Sequence, residues 1–217
     1  MFKGWNNYKT DKFDHGYDVL YDKFCNTLQS KNLNILEIGS RQGSTQLWRD
    51  YFPNATIISA DIAQHNTINI TDVWGIPNTI GYQFNQSLEE DHLKLIENFK
   101  YFDVIIDDGP HRSYEQILSL HLLFPYLNKG GIYIIEDLHN TDPDSDPNVT
   151  PDCGTLNFIV NVQTVLKDFQ NSIYTKYDSI DFSSFSKLDF DTIIERTSKK
   201  RWDWMYKPTE IAFLIKK

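Results

Sequence analysis

Cysteine is almost absent: Cys25 and Cys153 are the two in 217 residues, and they form no Cys-x-x-Cys pair. No disulfide framework follows, and a reduced, cytoplasmic compartment is the expectation. No apolar run approaches membrane-spanning length, and Met1-Phe2-Lys3-Gly4-Trp5-Asn6-Asn7 lacks the apolar core of a signal peptide. Basic residues are outnumbered, 21 Lys and Arg against 30 Asp and Glu, for a net charge of −9. That deficit disfavours nucleic acid and anionic membrane as partners, since both need a basic face. It suits a cationic ligand or a metal, and equally plain solubility. Asn-x-Thr sequons at Asn54, Asn69 and Asn148 are chance matches in a chain without a secretory signal. No internal repeat, Gly/Ser linker or long charge block divides the sequence.

What is present is an alternation of apolar runs and amphipathic stretches. Tyr17, Leu20, Tyr21, Phe24 and Leu28 follow helical spacing. Strands are expected over 33–38, 56–60, 80–84, near Val104, from Ile132 after a Lys129-Gly130-Gly131 turn, and over 211–215. Helices are expected after Gly43 as far as Pro53, over 88–99, over 113–127 and through Phe158–Phe169, with a less defined region at 173–182. Alternating strands and helices predict a single α/β domain with a doubly wound, mostly parallel sheet.

The chemistry collects at strand ends, where ligands sit in open α/β sheets. Leu36-Glu37-Ile38-Gly39-Ser40-Arg41-Gln42-Gly43-Ser44 gives Glu-x-Gly-x-x-x-Gly between a strand and a helix. Its glycines allow a sharp turn and close approach of a ligand. Arg41 stands where a dinucleotide fingerprint has its second glycine, and Glu37 favours a cationic, phosphate-free ligand. Asp61 ends the next strand at the distance usual for an acid that binds ribose hydroxyls. Asn85-Gln86-Ser87 offers amide groups for an adenine edge, or a helix cap. Two further runs end in acid: Ile105-Ile106-Asp107-Asp108-Gly109-Pro110-His111 and Ile134-Ile135-Glu136-Asp137-Leu138-His139. Carboxylates at such density are costly without a compensating cation or substrate, which points to a metal-assisted enzyme.

These motifs, in this order, resemble class I S-adenosylmethionine-dependent methyltransferases, and more narrowly the metal-dependent sugar O-methyltransferases of the macrocin and mycinamicin type. Thr10-Asp11-Lys12-Phe13-Asp14-His15-Gly16-Tyr17 is similar to that group's N-terminal signature, and the similarity spans roughly residues 8–140. The resemblance implies a Rossmann-like sheet of about seven strands with one antiparallel strand near the C-terminus. It implies S-adenosylmethionine as co-substrate, bound by Glu37, Gly39, Ser40, Gly43, Ser44, Asp61, Gln86, Ser87, Asp107 and Tyr17. It puts Mg2+ on Asp108, Glu136 and Asp137, with His111 as base and Asp108 as its catalytic neighbour. The acceptor would be a sugar or nucleotide-sugar hydroxyl, and a homo-oligomer stays open. Within one methyltransferase domain over 1–217, residues 1–30 form a helical segment, 31–140 the cofactor and catalytic core, and 141–217 the acceptor side. The chain departs from the pattern at Pro110, where serine is common, and at His139-Asn140-Thr141.

Several roles stay open at this level. Asp107 competes with Asp108 for the ion, or faces the cofactor, or caps a helix; His139 is the alternative base. Asp142-Pro143-Asp144-Ser145-Asp146 fails as a calcium-binding hand, because Pro147 and Cys153 occupy the Gly and Glu positions. Lys199–Tyr206 mixes cations with aromatics and is taken as a surface loop anchored by its Trp residues. Rival functions are an NAD-dependent oxidoreductase, a non-catalytic nucleoside binder, and a catechol or small-phenol methyltransferase.

Overall fold

The computed structural model describes residues 2–63, 70–138, 190–196 and 210–217. The expected helix at Phe158–Phe169, the region 173–182, the acidic loop after Asp142, His139 and the Lys199–Tyr206 segment lie outside the described residues. So do Cys153 and the sequons at Asn69 and Asn148.

The strands are β1 (Asn34–Ile38), β2 (Thr56–Asp61), β3 (Ile70–Thr71), β4 (Thr79–Gln83), β5 (Phe102–Asp107), β6 (Leu127–Ile135), β7 (Phe190–Arg196) and β8 (Glu210–Lys216). They form one sheet in the order β3-β4-β2-β1-β5-β6-β8-β7. The pairs from β4 to β6 are parallel. β8 runs antiparallel to both β6 and β7, and the two-residue β3 is antiparallel to β4. Setting aside β3, this is the expected mostly parallel seven-stranded sheet. Helices α1 (Tyr17–Cys25), α2 (Gln42–Tyr51), α3 (Glu89–Phe99) and α4 (Ser113–Leu123) cover it.

The period-two alternation of a strand sorts side chains onto two cores. Leu36, Ile58, Ile105, Tyr133 and Leu214 pack on the α3/α4 side. Ile35, Ile57, Val104, Ile134 and Phe213 pack on the other side with Tyr17, Tyr21, Trp48 and Tyr51 of α1 and α2. The turn expected at Lys129-Gly130-Gly131 lies inside β6. Phe102 pairs with Leu127 and Val104 with Ile132, so the intervening β6 residues bulge out, with Gly130 at φ 75°. A glycine that accepts positive φ lets the strand bulge without ending. Helix 113–127 stops earlier than expected: α4 gives way to a 3-10 turn over Phe124–Tyr126, where Pro125 removes an amide donor. Among the described residues no helix is long and apolar enough to cross a membrane.

Candidate active site

The strand order reverses between β1 and β5, so their carboxyl ends flank the crevice where an α/β sheet binds ligands. Gly39 ends β1 at φ 80°, and a Cβ there would overlap the carbonyl of Asp108. The first glycine of the loop therefore lets the β1 and β5 loops touch. A Cβ on Gly43 would meet the carbonyl of Lys9, so this glycine admits the N-terminal segment against α2. A Cβ at either position would collide with neighbouring backbone, and Gly39 also borders the cavities at these strand ends.

A cavity of ≈ 510 Å³ opens at these strand ends, lined by Gly39, Asp61, Phe84, Gln86, Ser87 and Asp108 among others. A second, of ≈ 370 Å³, is lined by Lys9, Asp11, Asp14, Ser44, and again Gly39 and Asp108. Gly39, Arg41 and Asp108 border both, which joins the two spaces at the β1/β5 crevice. Asp61 accepts the Ala63 N–H at 2.7 Å through Oδ1. Gln86 gives its amide N–H to Asp107 at 2.8 and 2.9 Å, while its Oε1 is buried without a hydrogen-bond partner. A buried acceptor without a partner is costly. Ser87 gives its backbone N–H and its hydroxyl to Asn85 Oδ1 in a local turn, while the N-cap of α3 is Leu88, so neither Asn85 nor Ser87 caps that helix.

Other expected cofactor residues are engaged inside the protein. Glu37 is fully buried and accepts Trp48 Nε1–H and Ser44 Oγ–H, each at 2.7 Å; burial pushes its carboxyl up to about 7, against the pull of Lys12. Ser40 and Thr45 both bond the hydroxyl of Ser59. Asp107 is fully buried on the α3/α4 side, between Gln86 and the Tyr133 hydroxyl, and burial pushes it up to about 7. Strand parity separates it from Asp108, which turns to the opposite side. Tyr17, expected at the cofactor, is fully buried with its hydroxyl on Asp137 Oδ1 at 2.7 Å.

The acid cluster holds a partner that sequence reasoning did not single out. Lys12 is fully buried, its Nζ 2.6 Å from Asp108 Oδ2, 2.9 Å from both Glu136 oxygens and 3.6 Å from Glu37. It also lies 5.5 Å from the centre of the Trp48 ring. Burial alone would lower its pKa, but the three carboxylates hold it well above the usual lysine range. Glu136 takes a further short hydrogen bond from Tyr21. Asp137 is held well below the carboxylate range: burial opposes this, and the His15 hydrogen bond, His111, His15 and Tyr17 outweigh it. Among the described residues the group able to offer three metal-ligand atoms within 4.8 Å of one another is Asp108, His111 and Asp137. Glu136, expected as the third ligand, faces Lys12 and Tyr21. His111 Nε2 is 3.6 Å from Asp137 Oδ2 and 3.9 Å from Asp108 Oδ1, and its Nδ1 is buried without a partner. His111 and Asp137 both sit at positive φ, 59° and 55°. Strain at two facing polar residues persists only where surrounding contacts enforce it.

No family model matches the chain. A methyltransferase of the mycinamycin biosynthetic pathway, solved with magnesium and S-adenosylhomocysteine, superposes with a TM-score of 0.70 over 97% of this chain and 53% of that one, at 20% identity. The chain has a class I methyltransferase fold. In sequence this methyltransferase fold resembles the macrocin and mycinamicin type. It is 28% identical over 143 residues to mycinamicin VI 2''-O-methyltransferase of Micromonospora griseorubida, covering 61% of this chain and 34% of that protein. It is 31% identical over 160 residues to demethylmacrocin O-methyltransferase of Streptomyces fradiae, covering 65% and 38%. The chain thus matches little more than a third of the length of these curated relatives.

Proposed function

We propose that the protein transfers a methyl group from S-adenosylmethionine to a sugar hydroxyl of a nucleotide-sugar or glycan precursor, with Mg2+ at the acceptor. The convergence of Asp108, His111 and Asp137 beside the cavity at the β1/β5 crevice carries this reading. The donor suits the cavity: the orphan Gln86 Oε1 lacks the kind of N–H that an adenine amino group supplies, and Asp61 lines the same wall for ribose hydroxyls. The curated relatives that support the acceptor class are named as O-methyltransferases of mycinamicin VI and demethylmacrocin.

Asp108 and Asp137 are the proposed ligands of the ion, and both offer the oxygen atoms that magnesium prefers; Glu136, expected from sequence as a third ligand, has both oxygens 2.9 Å from Lys12 Nζ. A bound ion would make the acceptor hydroxyl more acidic. His111 is the group that takes the acceptor's proton, and Asp137 balances the imidazolium charge. The Gly39–Ser44 loop, Asp61 and Gln86 hold the donor so that its methyl carbon lies in line with the acceptor oxygen, because alignment is the main demand of this reaction. The same reading takes the described residues as one methyltransferase domain.

Calorimetry with S-adenosylhomocysteine, followed by methyl-transfer assays on nucleotide sugars with and without EDTA, tests this function. Donor binding should survive the chelator while transfer stops, and added Mg2+ should restore it. Tight NADH binding with no response to either adenosyl ligand would defeat the reading. Methylation of catechols with sugars inert would move the acceptor to the phenol class.

A further inference from the structure

The two aspartates facing His111 are each gripped on one side only. Asp108 Oδ2 accepts the Lys12 ammonium at 2.6 Å, and its Oδ1 turns toward His111. Asp137 Oδ1 accepts the Tyr17 hydroxyl at 2.7 Å and lies 3.2 Å from His15 Nδ1, and its Oδ2 turns toward His111. The Tyr17 hydroxyl also accepts the Asp137 backbone N–H at 3.3 Å, pinning a residue whose φ is 55°. Lys12, His15 and Tyr17 are all buried, and none belongs to the sheet that carries the aspartates.

We propose that Lys12, His15 and Tyr17 are positioning residues: each anchors one oxygen of Asp108 or Asp137 so that the other oxygen faces His111. This extends the proposed function, on whose ligand and base roles it rests. An unanchored carboxylate rotates and divides its oxygens between alternatives, whereas one held on a single oxygen presents the other in a fixed direction. Donors behind a ligating or base-pairing group tune it through orientation without touching substrate. Three such donors within six residues, at the start of α1 and just before it, make this stretch the alignment device of the site.

Tyr17→Phe is the direct test, because it keeps the buried ring and removes only the hydroxyl. Mn2+, followed by electron paramagnetic resonance, reports the metal site, and calorimetry with S-adenosylhomocysteine reports the donor pocket. Mn2+ affinity and kcat should each fall about ten- to a hundredfold, with donor affinity held within about twofold. His15→Leu should do the same, and His15→Asn, which keeps an N–H near the Nδ1 position, should recover most of the loss. Mn2+ affinity and kcat within about threefold of wild type in both Tyr17→Phe and His15→Leu would overturn the proposal. A metal-free crystal structure of Tyr17→Phe decides independently of activity: a turned Asp137 carboxylate supports the proposal, and an unmoved one refutes it. Wild-type protein that takes up neither Mn2+ nor the adenosyl ligand would overturn the proposed function instead, leaving the carboxylate orientation to judge the positioning role.

Discussion

Replacing Lys12 by methionine removes one charge from a place that water does not reach. The ammonium is fully buried and touches carboxylates of Asp108, Glu136 and Glu37 at 2.6, 2.9 and 3.6 Å. Methionine fills much the same volume, so the loss is electrostatic rather than a cavity. Removing one partner of a buried ion pair costs about 3–5 kcal/mol, because the other charge is left uncompensated. Here three carboxylates are left. They would relieve the strain by taking up protons, which fixes the sign of the pH dependence. Burial already holds these carboxyls above their unfolded values, and losing Lys12 raises them further, so the variant's folded state binds more protons and its deficit grows as pH rises. Urea unfolding of Lys12→Met should therefore show the full deficit near pH 8 and a much smaller one near pH 5. A divalent cation that binds the folded variant should recover part of it, about 2.7 kcal/mol at a hundredfold excess over Kd. A loss below about 1 kcal/mol at pH 8, or an equal loss at both pH values, would refute the view of Lys12 as the cluster's resident cation.

Three further outcomes follow from the geometry. Asp61→Ala should weaken S-adenosylhomocysteine binding by about 1–3 kcal/mol in calorimetry, the range for a lost charge-assisted hydrogen bond. His111→Ala should lower kcat by about 10²–10⁴-fold with donor affinity kept; a near-normal rate together with an inactive His139→Ala would move the base to His139. His92 is fully buried, with Nδ1 on the Leu88 carbonyl at 2.9 Å and Nε2 on Ser119 at 2.8 Å, and burial pushes it down to about 4. Its contribution is complete above pH 6.5 and is lost as pH falls toward 4, about 3 kcal/mol in all; His92→Gln should remove that part of the acid sensitivity in urea titrations, and parallel curves would contradict it.

The sheet was legible because buried parallel strands are continuous apolar runs and because each ends in a turn or an acid. β1, β2, β4 and β5 fall within a residue or two of the expected spans. The bulge in β6 was not legible. A Lys-Gly-Gly triplet signals a turn and a mid-strand bulge equally, and the choice depends on the register against β5, which is a property of the pair. Likewise the last strands pair with each other and with β6 across long stretches of sequence, so Ile211–Ile215 could be recognised as a strand while its partner Phe190–Arg196 was not.

The site divides in the same way. Acids at strand ends could be placed at the crevice from spacing alone, and alternation explains why Asp107 turns into the α3/α4 side while Asp108, just past β5, turns the other way toward the cavities. Spacing cannot tell what neutralises them. Three carboxylates within one buried cluster require a cation, and a metal was the natural candidate from sequence; the structure puts a lysine from far upstream among them. Lys12 sits in a short polar stretch with no periodicity, so nothing local marks it as buried. Its burial is legible only from the partner side, as the counter-charge that Glu37, Asp108 and Glu136 demand. With Lys12 balancing Glu136, the remaining pair, Asp108 and Asp137, is left to face His111. The N-terminal segment thus decides which of the strand-end acids are open to chemistry, and substitutions there should alter metal and acceptor behaviour before they alter donor binding.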